Sequence, residues 1–130
     1  MASNVPDDLL FTSHDEWVRQ EKGDIVAVGI TDFAQDALGE IVHVEVPEVG
    51  DEIEAEAAVC EVESVKAVAE LYAPVSGEIV AVNEDLDDEP EAINKNPYGS
   101  WIFKVKMSDP DELDNLLDAA AYQQKLEDGD

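Results

Sequence analysis

Three segments repeat one pattern: Gly23-Asp24-Ile25-Val26-Ala27-Val28, Gly39-Glu40-Ile41-Val42-His43-Val44 and Gly77-Glu78-Ile79-Val80-Ala81-Val82. Each is a turn glycine feeding a short strand rich in β-branched residues. The spacings of 16 and 38 residues are unequal, so a solenoid is excluded. A mainly β domain whose halves resemble each other remains.

The rest of the chain fits around these strands. Glu16-Trp17-Val18-Arg19-Gln20 reads as a first strand, and Ser100 to Lys106 as a last one with Lys104 and Lys106 on its polar face. Thr31 caps a short helix through Leu38, with Phe33, Ala34, Ala37 and Leu38 as its apolar face and Gly39 as its stop. Pro47 with Gly50, and Pro74 with Gly77, mark turns. Glu89 to Asn94 suits a helical turn. Ser108 or Asp109 caps a helix through Pro110 whose stripe is Leu113, Leu116 and Leu117, and a final helix covers Ala119 to Leu126. Residues 1–10 read as a flexible arm, 11–126 as a single domain and 127–130 as a frayed end. At 130 residues the chain is long enough for one domain with a core of its own.

Charge narrows the function. With 33 acidic against 7 basic residues the formal net charge is -26. A nucleic-acid binder needs Lys and Arg against phosphate, and an anionic membrane surface would repel this chain. No apolar run reaches the roughly 20 residues that span a bilayer, and no leader is evident at the start, so a cytoplasmic address is expected. A single Cys excludes an internal disulfide framework. The acids are scattered along the whole chain, as in proteins of halophiles. Their mutual repulsion is screened when molar salt shortens the Debye length to about 3 Å. The same charge favours a monomer.

Lys66 is one of six lysines and lies deep in an acidic stretch with Glu61, Glu63, Ser64 and Glu70. The segment Ala55 to Tyr72 admits a helix by composition. The alternation of Cys60 and Val62 with Glu61 and Glu63 favours a hairpin, which puts Val65 and Lys66 at its tip. Val-Lys is a poor two-residue turn, where Asn-Gly or Asp-Gly is usual. A tight turn spent on it points to a use for the lysine, although a lone lysine is ordinarily a solubilising surface charge.

Glu63-Ser64-Val65-Lys66-Ala67, followed by Leu71-Tyr72-Ala73-Pro74-Val75-Ser76-Gly77-Glu78-Ile79-Val80, closely resembles the lipoate-attachment region of the glycine cleavage system H protein family. Glu16-Trp17-Val18-Arg19, Val28 to Gln35, Leu38 to Val42, Glu45 to Gly50, Pro97-Tyr98-Gly99 and Trp101 to Lys104 are similar to further segments of it, in order, over about residues 11–122. The resemblance implies a hybrid barrel-sandwich of the lipoyl/biotinyl type with short helices, including C-terminal helices. It implies a non-catalytic carrier with lipoate amide-linked to Lys66 on an exposed hairpin, Glu63, Ser64, Val65 and Ala67 forming the attachment motif. In the family an aminomethyl group from glycine passes from a pyridoxal phosphate-dependent glycine decarboxylase to an aminomethyltransferase. A dihydrolipoyl dehydrogenase reoxidises the arm, and a lipoate-attaching enzyme installs it. Glu16 and Glu70 match acidic positions suited to a cleft for the cationic amine, against the alternative of solvated surface acids.

Three departures stand out. Asp15 separates His14 from Glu16-Trp17, where the family usually has His-Glu-Trp; Glu56 stands near a usual Gly; and the Pro97 to Trp101 stretch is one residue short. Two readings share the carrier class: an H-like protein that mainly relays lipoyl groups, and a lipoyl domain of another complex. The residues flanking Lys66 are Val65 and Ala67 rather than Met, which speaks against biotin. Outside that class stand a small hydrolase using Cys60 with His14 or His43, and an unmodified acidic adaptor. Cys60 alternates with Val62 as a core thiol would. The two histidines lack metal-ligand spacing.

Overall fold

The computed structural model describes residues 5–128. The chain is mainly β, with nine strands in two open sheets and several short helices. The larger sheet has the order β1-β2-β3-β9-β8-β5, formed by β1 (Leu10–Phe11), β2 (Glu16–Gln20), β3 (Ile25–Ile30), β5 (Glu52–Ile53), β8 (Gly77–Val82) and β9 (Phe103–Met107). The smaller has the order β4-β6-β7, formed by β4 (Ile41–Val44), β6 (Ala58–Ser64) and β7 (Val68–Tyr72). Every pairing is antiparallel. The two-sheet arrangement of the expected hybrid barrel-sandwich is therefore present, with no closed barrel among the described residues. All three copies of the repeated pattern are strands: β3, β4 and β8.

The main core lies between the sheets. It gathers Val26, Val28 and Ile30 from β3, Ile41 and Val44 from β4, Cys60 and Val62 from β6, Leu71 from β7, and Ile79, Phe103 and Val105 from β8 and β9. A second cluster of Leu9, Phe11, Trp17, Ala27 and Tyr122 closes the far side of the larger sheet. Trp17 fits because residue 29 is glycine: a Cβ there would come within 2.6 Å of the indole ring. The indole N–H donates to the Pro97 carbonyl at 3.0 Å.

Helix α1 (Asp32–Leu38) has the expected ends. The Thr31 hydroxyl accepts from the Ala34 N–H, and Gly39 ends the helix at φ +81°. Its apolar face is narrower than the sequence suggests: Ala34 and Leu38 pack on the core, whereas Ala37 is exposed. Two short helices, α2 (Asp85–Asp88) and α3 (Ala92–Lys95), replace the single turn expected near residue 90. Each docks by one buried side chain, Leu86 and Ile93 respectively. After β9 comes a 3-10 helix (Pro110–Asn115) capped by Asp109, in place of the expected α-helix. Helix α4 (Ala119–Glu127) follows, capped by Asp118.

Of the arm expected over residues 1–10, residues 1–4 lie outside the described residues. Its inner end belongs to the fold: Leu9 is buried, and Leu10 pairs with Val18. Burial of Leu9 and partial burial of Leu10 oppose the entropy cost of ordering the segment. At the other terminus α4 runs to Glu127; residues 129–130 lie outside the described residues.

Candidate functional site

Lys66 stands at the tip of the β6–β7 hairpin, exposed, between Ser64 and Val68. The last ladder pair before the tip is Glu63 opposite Val68. Ser64 explains how Val-Lys makes so tight a turn. Its buried hydroxyl accepts from the Lys66 N–H at 3.3 Å and the Ala67 N–H at 3.0 Å. Its own N–H donates to the Ala67 carbonyl at 2.8 Å. The serine side chain thus supplies the contacts that an Asn-Gly turn makes with its backbone.

The tip rests on the corner between α1 and β4. The Val65 N–H donates to the Glu40 carbonyl at 3.0 Å, and the Lys66 stem crosses Gly39 so closely that a Cβ there would lie 3.5 Å from Cε. Asn94 of α3 holds that corner. Its amide donates to the Gly39 carbonyl at 2.8 Å and to Gln35 at 2.9 Å, while its oxygen accepts from the Ile41 N–H at 2.9 Å. Neither ion pair found among the described residues involves Lys66: Glu21 takes Arg19 and Lys104. The lysine amine is solvent-facing and available for acylation, so the residues present fit an amide-linked lipoate.

Glu63 lies on the exposed face of the small sheet. Glu70 is on the same face, directly opposite Glu61 across the ladder. Like charges in that position repel.

Glu16 sits elsewhere and is no surface acid: its exposure is 1%. One carboxylate oxygen accepts from the Thr12 hydroxyl at 2.9 Å, the other from the Tyr72 N–H at 2.8 Å. Burial pushes its pKa from 4.5 up to about 7, against those two hydrogen bonds and with a small upward push from Asp15. Glu16 thus clamps the start of β2 to the end of β7, while Lys66 precedes the start of β7. The two are separated by the length of that strand, on the order of 20 Å at ~3.3 Å per residue.

Glu16 also faces a cavity of about 220 Å³, lined by Phe11, His14, Ala73, Pro74, Glu56, Glu112 and neighbouring residues. The His14 ring packs on Tyr72 with centroids 4.4 Å apart. Cys60 is buried, and burial, with Glu45, Glu16 and Glu61 around it, pushes its thiol up to about 12. A thiol so hard to ionise is a poor nucleophile.

Two of the departures have visible structural consequences. Asp15 adopts φ +66°. Its carboxylate accepts from the Tyr122 hydroxyl at 2.8 Å, and that hydroxyl lies 2.8 Å from Thr31. The Tyr122 ring stacks on Phe11 at 4.7 Å. Glu56 is the other non-glycine residue in the left-handed region among the described residues, at φ +70°, where glycine would be free of strain. Sequence reasoning missed Thr12, Tyr122 and the cross-strand role of Glu61; it picked out Asn94 as similar to the family but not its bonds to the Gly39 corner. Only Thr12 carries a local signal, a hydroxyl four residues before an acid.

The sequence model of the family described as Glycine cleavage H-protein matches residues 9–129. The chain is 57% identical over 121 residues to glycine cleavage system H protein 2 of Pseudomonas putida, covering 93% of this chain and 95% of that protein. It is 55% identical to the glycine cleavage system H protein of Methylacidiphilum infernorum over 126 residues, covering 96% of this chain and 98% of that protein. The crystal structure of a glycine cleavage system H protein from Mycobacterium marinum superposes with a TM-score of 0.85 at 37% identity, covering 95% of this chain and 99% of that one.

Proposed function

Because the chain belongs to the glycine cleavage H-protein family, we propose that it is the lipoyl carrier of glycine cleavage, with Lys66 as the residue that bears lipoate. The observation that carries the assignment of the residue is the placement of Lys66: exposed, free of ion pairs among the described residues, and lifted on a serine-braced tip. When bound there, lipoate supplies a ring disulfide that takes up a one-carbon unit with reduction and is later reoxidised by thiol–disulfide chemistry. The protein does the rest by position. Acylation of Lys66 Nζ removes a cation, so the formal charge of -26 becomes one unit more negative. The tip is exposed, which lets a glycine decarboxylase, an aminomethyltransferase and a dihydrolipoyl dehydrogenase each receive it in turn. Tethering raises the local concentration of the arm at each of them. The chain itself works as a non-catalytic carrier, in the cytoplasm.

Glu16 and Glu70 serve the cargo. Glu16 presents a carboxylate to a cavity walled by Phe11, Ala73 and Pro74. A cationic amine brought to that cavity is held by charge-assisted hydrogen bonding, and its charge favours the ionised carboxylate. Glu70, on the exposed face nearer Lys66, adds negative potential along the way. The flanking residues Glu63, Val65 and Ala67 present the lysine to the lipoate-attaching enzyme.

The test is intact mass with peptide mapping of protein purified from its native source, alongside Lys66→Arg. A lipoyl adduct on Lys66 and loss of glycine cleavage in the variant are expected. An unmodified Lys66 in cells with active lipoylation enzymes overturns the assignment.

A further inference from the structure

Glu112 lies in the first turn of the 3-10 helix (Pro110–Asn115), where an acid is ordinarily explained by the helix end itself. That end is already capped by Asp109, and the Glu112 carboxylate reaches back instead to the turn before β8. One oxygen accepts from the Ser76 N–H at 2.7 Å, the other from the Ser76 hydroxyl at 3.0 Å. The Ser76 hydroxyl oxygen accepts in turn from the Ala55 N–H at 2.9 Å. Both carboxylate oxygens are thus used in a two-pronged, charge-assisted clamp. Glu112 takes part in no ion pair found among the described residues.

The clamp stands between two chambers. Glu112 and Ala55 line both the cavity of Glu16, about 220 Å³, and an adjoining groove of about 770 Å³. Glu52, Glu54, Glu78 and Ser108 along that groove are exposed, so it opens to solvent. On the cavity side, Glu112, Asn115, Leu116 and Leu117 make one continuous wall. The far end of that wall is fixed separately, because Phe11 and Leu117 exchange two backbone hydrogen bonds at 2.7 Å each. Between the two fixings Leu113 and Leu116 pack on the main core. The near end, beside the solvent-filled groove, depends on Glu112 and Ser76.

We propose that Glu112 is a positioning residue for the Glu16 site: its clamp on Ser76 holds segment 110–117 in place as the partition that keeps the water of the groove out of the cavity. The use of so dry a cavity rests on Glu16 meeting a cationic cargo, as proposed above, since an amine bonds a carboxylate more strongly where water does not compete. The partition itself does not rest on that reading. Around Glu16 stand Asp15 before it, His14, Glu56 and Glu112 on the cavity wall, Tyr72 beside His14, and Cys60, whose thiol senses its charge. Of these groups the test alters Glu112 alone.

The experiment titrates the Glu16 carboxyl by carbon NMR in the full chain, its signal identified by loss in Glu16→Gln. The parent is compared with Glu112→Gln and Glu112→Ala. Glu112→Gln removes the charge and keeps the clamp, because the amide oxygen accepts from the Ser76 N–H and the amide nitrogen donates to the Ser76 hydroxyl oxygen. Glu112→Ala removes both. Glu112→Gln is expected to titrate with the parent, near 7. In Glu112→Ala water enters, and the midpoint falls by about one pH unit or more toward 4.5. A general loss of stability does not move the midpoint of a titration in the folded chain, so a merely structural role predicts no shift. An unchanged midpoint in Glu112→Ala overturns the proposal. An equal fall in both variants assigns the effect to charge and overturns it too. Should Glu112→Ala not fold, Ser76→Ala keeps the N–H prong and loses the hydroxyl; a smaller fall is expected, and none overturns the clamp. Methylammonium chloride, set against sodium chloride at equal concentration, lowers the parent's midpoint and lowers that of Glu112→Ala less. A parent that does not respond to methylammonium overturns the cargo role of Glu16, while the three titrations still decide the partition.

Discussion

Ionisation of Glu16 works against the fold, and this can be measured. Its carboxyl is 1% exposed, and burial lifts its pKa from 4.5 to about 7 despite the Tyr72 N–H and the Thr12 hydroxyl that favour the anion. A carboxyl whose pKa is raised on folding keeps its proton better in the folded chain than in the unfolded one. Stability from this residue is therefore complete below about pH 4.5 and is lost as the pH rises through about 7. At ~1.4 kcal/mol per pH unit the gap corresponds to ~3 kcal/mol. Glu16→Gln removes the titration and keeps the size of the side chain. Its amide nitrogen meets a Thr12 hydroxyl oxygen that already accepts from His14 and Glu16 N–H groups at 3.2 Å each, so the variant starts with a cost at low pH. Relative to the parent it then gains ~3 kcal/mol between about pH 4.5 and pH 8. The assay is urea denaturation of both proteins across that range in molar salt, which suppresses the general repulsion of the chain. The other carboxylates cancel in the difference. Parallel stability curves would refute the argument. A relative loss for Glu16→Gln with rising pH would show that the two hydrogen bonds outweigh burial. If the proposed cationic cargo enters the cavity it favours the anion, so loading is expected to shift this titration to lower pH.

Tyr122→Phe retains the stack on Phe11 and removes the hydroxyl shared by Asp15 and Thr31; ~2 kcal/mol is lost, a fall of roughly 8 °C in Tm by calorimetry, and an unchanged Tm would reject the network as a brace. Glu56→Gly relieves the φ +70° residue before the hairpin and raises stability by ~0.5 kcal/mol after the added freedom of the unfolded chain is counted, a gain read from the urea midpoint and contradicted by any loss. Desalting weakens the fold, because a net charge of -26 is then unscreened; near-UV dichroism that stays native and melts cooperatively in salt-free buffer would refute the halophilic reading.

What the sequence disclosed and what it hid follow from the range of the interactions. The strands β3, β4 and β8 each begin from a glycine and run through β-branched residues, so their signal is local. The caps read at Thr31 and Asp109 are local too. The hairpin around Lys66 was legible as alternation from Cys60 to Glu63, and its odd turn was explicable only with Ser64 in view. By contrast, Glu16 meets Tyr72 across 56 residues, Ile41 meets Asn94 across 53, and Asp15 meets Tyr122 across 107. No periodicity announces such pairs. The composition also misled in one respect. In a chain with 33 acids a further carboxylate looks like one more solvated charge, yet Glu16 obeys the rules of a buried polar group.

That division of labour bears on how a carrier of this kind is built. Lys66, as the proposed acceptor, must be mobile at its end and fixed at its base. Both conditions are met by short-range contacts: Ser64 closes the tip, and the Glu40 carbonyl fixes its lean toward the Gly39 corner. On the proposed role, Glu16 has to attract a cation without ionising so readily that the empty protein is destabilised. A fully solvated carboxylate would bind weakly, since water competes for the amine; a fully desolvated one would stay protonated. Glu16 stands between these limits. Its two hydrogen bonds oppose the burial that raises its pKa to about 7, which leaves a carboxyl that ionises near neutrality and more readily when a cation arrives. Deleting the Thr12 hydroxyl would move the balance toward the proton and raise the pH at which Glu16 ionises.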